Sequence, residues 1–320
     1  MTETTSHIGR EIARQPRAWA RACELLPQVA DLLPQPGERV AVLGCGTSWF
    51  MAAAYAALRE SAGAGETDAF AAGQWPAARR YDRVVAISRS GTTTEVLRAI
   101  DTAAAPVTVL TGVADSPAAL DAEAAIVLDF ADETSVVQTV FATTALTLLR
   151  ASLGDSVEAA AVQAARILAG EHGLAPEVET ASQFTFLGSG WGVGVASEAA
   201  LKMREAARVW TESYPQLEYR HGPISIAEPG RVVWIFGEPV PGLVGDIEGT
   251  GATIVNDDLD PVADLVRVQR LAAALGRRHG LDPDRPRNLT RSVILSPATA
   301  TSPASVASSA GTASPAVAAP

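Results

Sequence analysis

Cysteine is almost missing from this chain: Cys23 and Cys45 stand alone, at no paired spacing. Two isolated thiols exclude a disulfide framework and a cysteine-based zinc site, and they fit a reducing compartment. Histidine is nearly as scarce. His7, His172, His221 and His279 are scattered, with no HExxH string, and no metal or cofactor is expected. Positive charge is short as well, with 25 Lys and Arg against 36 Asp and Glu and a formal net charge of −11. Nucleic acid and anionic membrane need basic patches, so neither is an expected partner. A small phosphorylated ligand is not excluded, because backbone N–H groups and hydroxyls hold such ligands locally. No apolar run reaches the roughly 18 residues of a membrane span, and residues 1–10 lack the apolar centre of a signal peptide. The expectation is a soluble, cytoplasmic protein.

What the chain has is a core. Its 320 residues are 48% hydrophobic, enough for one large domain or two ordinary ones. Ala-rich helical segments alternate with short β-branched runs, the mark of βαβ units and parallel sheets. Runs at 40–43, 84–87, 107–110 and 126–128 read as buried strands, and runs at 184–187, 232–236 and 252–255 read the same way. Three strand starts of the second series repeat those of the first at one offset, about 145 residues, which suggests a duplicated α/β unit. Residues 8–33 read as one or two amphipathic helices ended by Pro34 and Pro36. A long helical region, 136–171, carries the chain between the halves. The fold class is α/β with two parallel sheets, helices on both faces of each. The divisions are an N-terminal helical segment (1–36), a first α/β unit (37–155), a second (156–295) and an Ala/Ser/Thr/Pro tail (296–320) expected to be disordered.

Two strand-to-helix turns carry hydroxyls. The first strand runs into Gly44-Cys45-Gly46-Thr47-Ser48, and the second into Ser88-Arg89-Ser90-Gly91-Thr92-Thr93-Thr94-Glu95. In an open α/β sheet such turns lie at the carboxyl edge, where ligands bind. Glycine lets the backbone approach, and hydroxyls stand beside the free N–H groups of a helix start. Neither turn has the GxGxxG or Walker A string, and the second suits a phosphate monoester better than a dinucleotide. A helix start capped by Ser and Thr is the plainer alternative.

Glu198, Lys202 and Glu205 lie at i, i+4 and i+7, along one face of a helix that follows the strand at 184–187. A solvated Glu–Lys pair is the ordinary reading of that spacing, and a general base facing a sugar is the other. Sixteen residues after Glu205 comes His221, followed by Gly222-Pro223. Gly-Pro makes a turn, so His221 is expected on a loop, as a proton carrier near neutral pH. Residue chemistry alone does not choose between the two groups.

Together these strings resemble the sugar isomerase (SIS) family, and more closely the isomerase half of glucosamine-6-phosphate synthase and the amino-sugar-phosphate isomerase/deaminases. The matching stretches are CGTS (45–48), SRSGTTTE (88–95), EAALKMRE (198–205), YRHGP (219–223) and DRPRNLTRSV (284–293). The resemblance implies two tandem SIS subdomains and a phosphorylated amino sugar as ligand. It implies Thr47, Ser48, Ser88, Arg89, Ser90 and Thr93 as phosphate-binding. Glu205 becomes the acid–base carboxylate between C1 and C2, Lys202 a site lysine, and His221 the ring-opening residue, supplied by the partner of a homodimer. Glu198, Gln138 and Arg291 are expected as further substrate contacts. Two positions depart from the family: Arg89 replaces a glutamine, and Arg291 replaces an imine-forming lysine. Arginine stays protonated and does not readily form that imine. No glutaminase domain is expected. The implied activity is isomerisation or deamination of a glucosamine 6-phosphate or N-acetylglucosamine 6-phosphate type of sugar. The alternatives are a lyase that expels the C3 hydroxyl and a non-catalytic sugar-phosphate sensor.

Overall fold

The computed structural model describes residues 6–295, so the tail at 296–320 lies outside the described residues. The chain opens with α1 (His7–Ala13) and α2 (Gln15–Val29). Ser6 caps α1, accepting from Gly9 N at 3.2 Å. A first βαβ series follows: β1 (Val40–Gly44), α3 (Thr47–Ser61), β2 (Thr67–Ala71), β3 (Arg83–Ile87), α4 (Thr94–Thr102), β4 (Val107–Thr111), α5 (Pro117–Asp121) and β5 (Ala124–Val127). Next come α6 (Val140–Ser152), α7 (Glu158–Leu168) and α8 (Pro176–Thr180). The second series is β6 (Gln183–Gly188), α9 (Gly192–Ala207), β7 (Trp210–Pro215), β8 (Arg231–Ile235), α10 (Leu243–Glu248), β9 (Thr253–Val255) and α11 (Pro261–Arg278).

Both sheets are parallel throughout, in the orders β2-β1-β3-β4-β5 and β7-β6-β8-β9. Strands covered on both faces need continuous apolar runs; β1, β4 and β6 are buried along their whole length. The strands read from apolar runs are all present. The two missed, β2 and β7, are edge strands with polar sequences, TDAFA and WTESYP, and each is only partly buried. Pairing to one neighbour removes the demand for a hydrophobic run, and with it the sequence signal.

The predicted helical stretch 136–171 is two helices. Gly154, at φ 81, separates α6 from α7. Helix α6 is buried on every side from Val140 to Arg150, as a helix packed between layers must be. Its first turn is capped by the buried carboxylate of Glu133, which accepts from Thr139 N, Val140 N and Phe141 N at 2.6, 2.9 and 3.2 Å. No helix among the described residues is long and apolar enough to cross a membrane.

In each sheet the chain reverses direction beside its first strand, between β1 and β3 and between β6 and β8. A crevice opens at the carboxyl ends of such a pair. The turns leaving β1 and β3 lie side by side at the first crevice.

Candidate active site

The turn after β1 is built for close approach. A Cβ on Gly44 would stand 2.4 Å from the backbone of Ser48, and Gly46 has φ 55. The turn after β6 uses the same device: a Cβ on Gly188 would meet Gly192 backbone at 2.2 Å, and Gly190 has φ 52. In the turn after β3, Gly91 has φ 62, and a Cβ there would collide with Ser116 Oγ at 2.0 Å. Only glycine takes these positions without displacing the turn.

Ser48, Ser88, Arg89, Ser90, Thr93, Gln138 and Arg291 line one cavity, of about 30 Å³. That volume admits a water or two, so it is the bottom of a polar cup and a sugar would lie over its mouth. Cys45, unread as a site residue, also lines it; burial pushes its thiol up to about 11, which leaves it neutral. Gln138 Oε1 is buried without a hydrogen-bond partner among the described residues. No group of three or more His, Cys, Asp or Glu among the described residues is placed to hold a metal.

The two arginines are already tied down. Arg89 Nη1 donates to Ser135 O at 2.8 Å, and Nη2 donates to Val136 O at 3.2 Å and to Arg291 O at 3.0 Å. Glu133 lies 3.9 Å from Nη1. Arg89 Nε is buried and has no hydrogen-bond partner among the described residues. Burial lowers the pKa of Arg89, and Glu133 opposes that shift. Burial raises the pKa of Glu133, and Arg89 opposes it. Arg291 donates to the Glu133 carbonyl and pairs with Asp132. Neither acid carried a sequence signal, because their role follows from contacts more than 40 residues away along the chain.

Residues 284–295 run across this cup. Thr92 Oγ1 donates to Ser292 Oγ at 2.9 Å, and Thr94 N donates to Val293 O at 3.1 Å. Asp284 accepts from His7 N and Ile8 N at 2.9 and 2.7 Å. The last described residues thereby join the start of the chain to the turn after β3.

Thr47 does not line the cup. Successive helix residues are rotated by about 100°, so Ser48 faces the β3 turn while Thr47 faces α9 and accepts from Lys202 Nζ at 3.0 Å. Lys202 is fully buried and sits between two carboxylates: it pairs with Glu205, and Glu198 Oε1 is 3.4 Å away. Burial opposes the charge of Lys202, but Glu198 and Glu205 outweigh it and hold its pKa above the usual value. Glu198 is 1% exposed, and neither of its oxygens meets hydrogen-bond geometry among the described residues. Burial pushes its carboxyl up to about 8, against the pull of Lys202. Glu205 keeps 19% of its side chain exposed. Of the two carboxylates on this face, Glu205 alone reaches solvent.

His221 is not brought to this group. It ends a 3-10 turn, Leu217–His221, where a plain loop was expected; Gly222, at φ 130, stops the turn. Its side chain is exposed and makes no hydrogen bond or ion pair among the described residues.

Two parallel sheets, hydroxyl-bearing turns at a switch point and a carboxylate–lysine helix against them define the class: an α/β protein whose candidate site draws on both halves of the chain. Residues 33–153 of the chain match the SIS domain. The chain is 27% identical over 333 aligned positions to the isomerizing glutamine–fructose-6-phosphate aminotransferase of Methanothermobacter thermautotrophicus, covering 89% of this chain and 56% of that protein. The corresponding protein of Sulfurisphaera tokodaii is 29% identical over 327 positions, with the same coverage. The chain thus spans about half the length of the curated relatives it matches. Among solved structures, glucosamine-6-phosphate deaminase from Thermotoga maritima superposes with a TM-score of 0.74 at 23% identity, covering 91% of this chain and 100% of that one. Tagatose-6-phosphate ketose/aldose isomerase from Escherichia coli gives 0.74 at 19%, covering 92% and 98%. At those identities the likeness establishes the fold. The SIS resemblance read from the short strings is borne out.

Proposed function

We propose that the chain is a sugar-phosphate enzyme that holds the 6-phosphate of an amino sugar in the cup of Ser48, Ser88, Ser90 and Thr93 and moves a proton between C1 and C2 with Glu205. The observation that carries this reading is the contact of Lys202 Nζ with Thr47 Oγ1 at 3.0 Å. It fixes the acid–base helix of the second half to the residue beside Ser48, in the phosphate turn of the first. A sugar with its phosphate in the cup then has its other end toward Glu205. Lys202 carries the positive charge that favours a developing enediolate oxygen. Glu205 takes the C2 proton as a carboxylate, becomes neutral, and returns the proton to C1, which gives the ketose. With a free 2-amine the same enolamine becomes a C2 imine, and water releases ammonia from it. His221, exposed and away from Glu205, serves ring opening from the partner subunit of a cytoplasmic homodimer.

Arg291 favours isomerisation or deamination over amino transfer. Its guanidinium is engaged by Asp132 and the Glu133 carbonyl, and a protonated arginine does not readily attack a ketone. The same reading divides the chain into a first SIS subdomain at 37–155 and a second at 156–295, related by duplication. The shared strand orders and the paired turns at Gly44 and Gly188 support that division.

The test is a product screen. The full chain is incubated in deuterated water with glucosamine 6-phosphate, N-acetylglucosamine 6-phosphate or fructose 6-phosphate, beside Glu205→Gln. Mass spectrometry is expected to find deuterium at C1 or C2 of one substrate, reduced about 10²–10⁴-fold in the variant. An 18-unit mass loss instead assigns the lyase chemistry. Ligand-induced thermal stabilisation without turnover of any substrate assigns a sensor and ends the enzyme reading.

A further inference from the structure

On the far side of α11, the loop after α7 and the helix surface enclose a separate cavity of about 310 Å³. Its floor is apolar, from Ile167, Leu174, Leu271 and Leu275. Its wall carries Arg267, Arg270, Arg277 and Arg278. Four arginines face one cavity in a chain of net charge −11, with Arg267 and Arg278 paired to carboxylates and Arg270 and Arg277 beside them.

The acids of the lining are paired: Glu171 with Arg166, outside the lining, at 2.6 Å, and Glu179 with Arg278, within it, at 2.7 Å. Arg267 is 5% exposed and holds Asp257 at 2.6 Å and Asp264 at 3.0 Å, yet its Nε is buried without a partner. Arg277 Nη1 is likewise buried and unpartnered among the described residues. Both atoms are sealed from solvent, and it is the remaining atoms of Arg277, with Arg270, that line the cavity. The loop above is held in an uncommon backbone, with Gly170 at φ 103 and His172 at φ 54. Non-glycine residues in that region recur at ligand clamps.

We propose that this cavity is a second ligand site, for a small organic anion whose carboxylate or phosphate meets Arg277 and Arg270 and whose apolar body rests on Leu271 and Leu275. The volume is at the lower end for small-molecule sites, and it is separate from the hydroxyl cup.

The test titrates the full chain with benzoate and, separately, with inorganic phosphate, by calorimetry. Benzoate is expected to bind saturably. Arg277→Gln is expected to weaken it at least tenfold and Arg277→Lys, which keeps the charge, by less. Ser90→Ala, in the hydroxyl cup, should leave benzoate unchanged. A phosphate affinity lowered by Arg277→Gln extends the site to phosphate-bearing ligands. One lowered by Ser90→Ala alone, with benzoate still sensitive to position 277, restricts the site to carboxylates. If neither Arg277 variant weakens either probe while melting within about two degrees of the parent, the proposal is wrong.

Discussion

Glu198 and Glu205 are both glutamates on one helix face, and the fold gives them different work. Glu198 is sealed beside Lys202 and pushed up to about 8, so near neutral pH it retains its proton. The unfolded chain releases that proton near the ordinary carboxylate value. Where the native state holds the extra proton, stability falls as pH rises. The loss therefore runs from about pH 4.5 up to about 8 and is complete above it. Asp264, raised by burial to about 6, adds to the slope below pH 6, and Glu133, also raised by burial, adds to it as well, so the Glu198 contribution is the difference between the parent and a Glu198 variant. Glu198→Gln is expected to remove up to about 1.4 kcal/mol per pH unit of that slope, read from urea midpoints across that range. An unchanged slope would mean that Glu198 is ionised in the fold. Residue identities could be read from the short strings, but this division of labour could not. A spacing of i, i+4, i+7 places carboxylates on one face and says nothing of which one the neighbouring helix covers.

At the scale of elements, every strand with two neighbours was legible, and so were the edge strands β5 and β9, whose sequences are apolar. β2 and β7 were not, because an edge strand is half free of the apolar demand. The glycine turns were legible as motifs, though their cause is steric and appears only in three dimensions. Gly44→Ala forces a Cβ to within 2.4 Å of the Ser48 backbone, and Gly188→Ala to within 2.2 Å of Gly192. Backbone cannot swing aside as a side chain can, so each change is expected to cost about 2 kcal/mol or more. Thermal denaturation measures it. The two changes should differ in a second readout: Gly44→Ala weakens sugar-phosphate binding, and Gly188→Ala lowers stability while sparing that binding in the folded fraction. Equal loss of binding in both would place ligand contacts at the second turn too.

At the scale of the molecule, residues 284–295 close the site and clamp the N-terminal helix. A chain ending at residue 283 loses the Arg89–Arg291, Thr92–Ser292 and Thr94–Val293 hydrogen bonds and the Asp284 cap of α1. At about 1 kcal/mol per bond, it is expected to bind sugar phosphate at least tenfold more weakly than a chain ending at Leu295, and to melt earlier. Unaltered affinity would show that the cup needs no closure. The DRPRNLTRSV string was legible as a match, but its path was not, since nothing local ties it to a turn some 200 residues earlier.

That closure also sets an order of events at the ribosome. The first five-stranded sheet ends at Val127, but Arg291 leaves the ribosome only after some 160 further residues. At about 5–20 residues per second, synthesis takes roughly ten to thirty seconds to pass from the last strand of the first sheet to the segment that covers the hydroxyl turns. On the proposed function, ligand capture is therefore expected only when synthesis is nearly over.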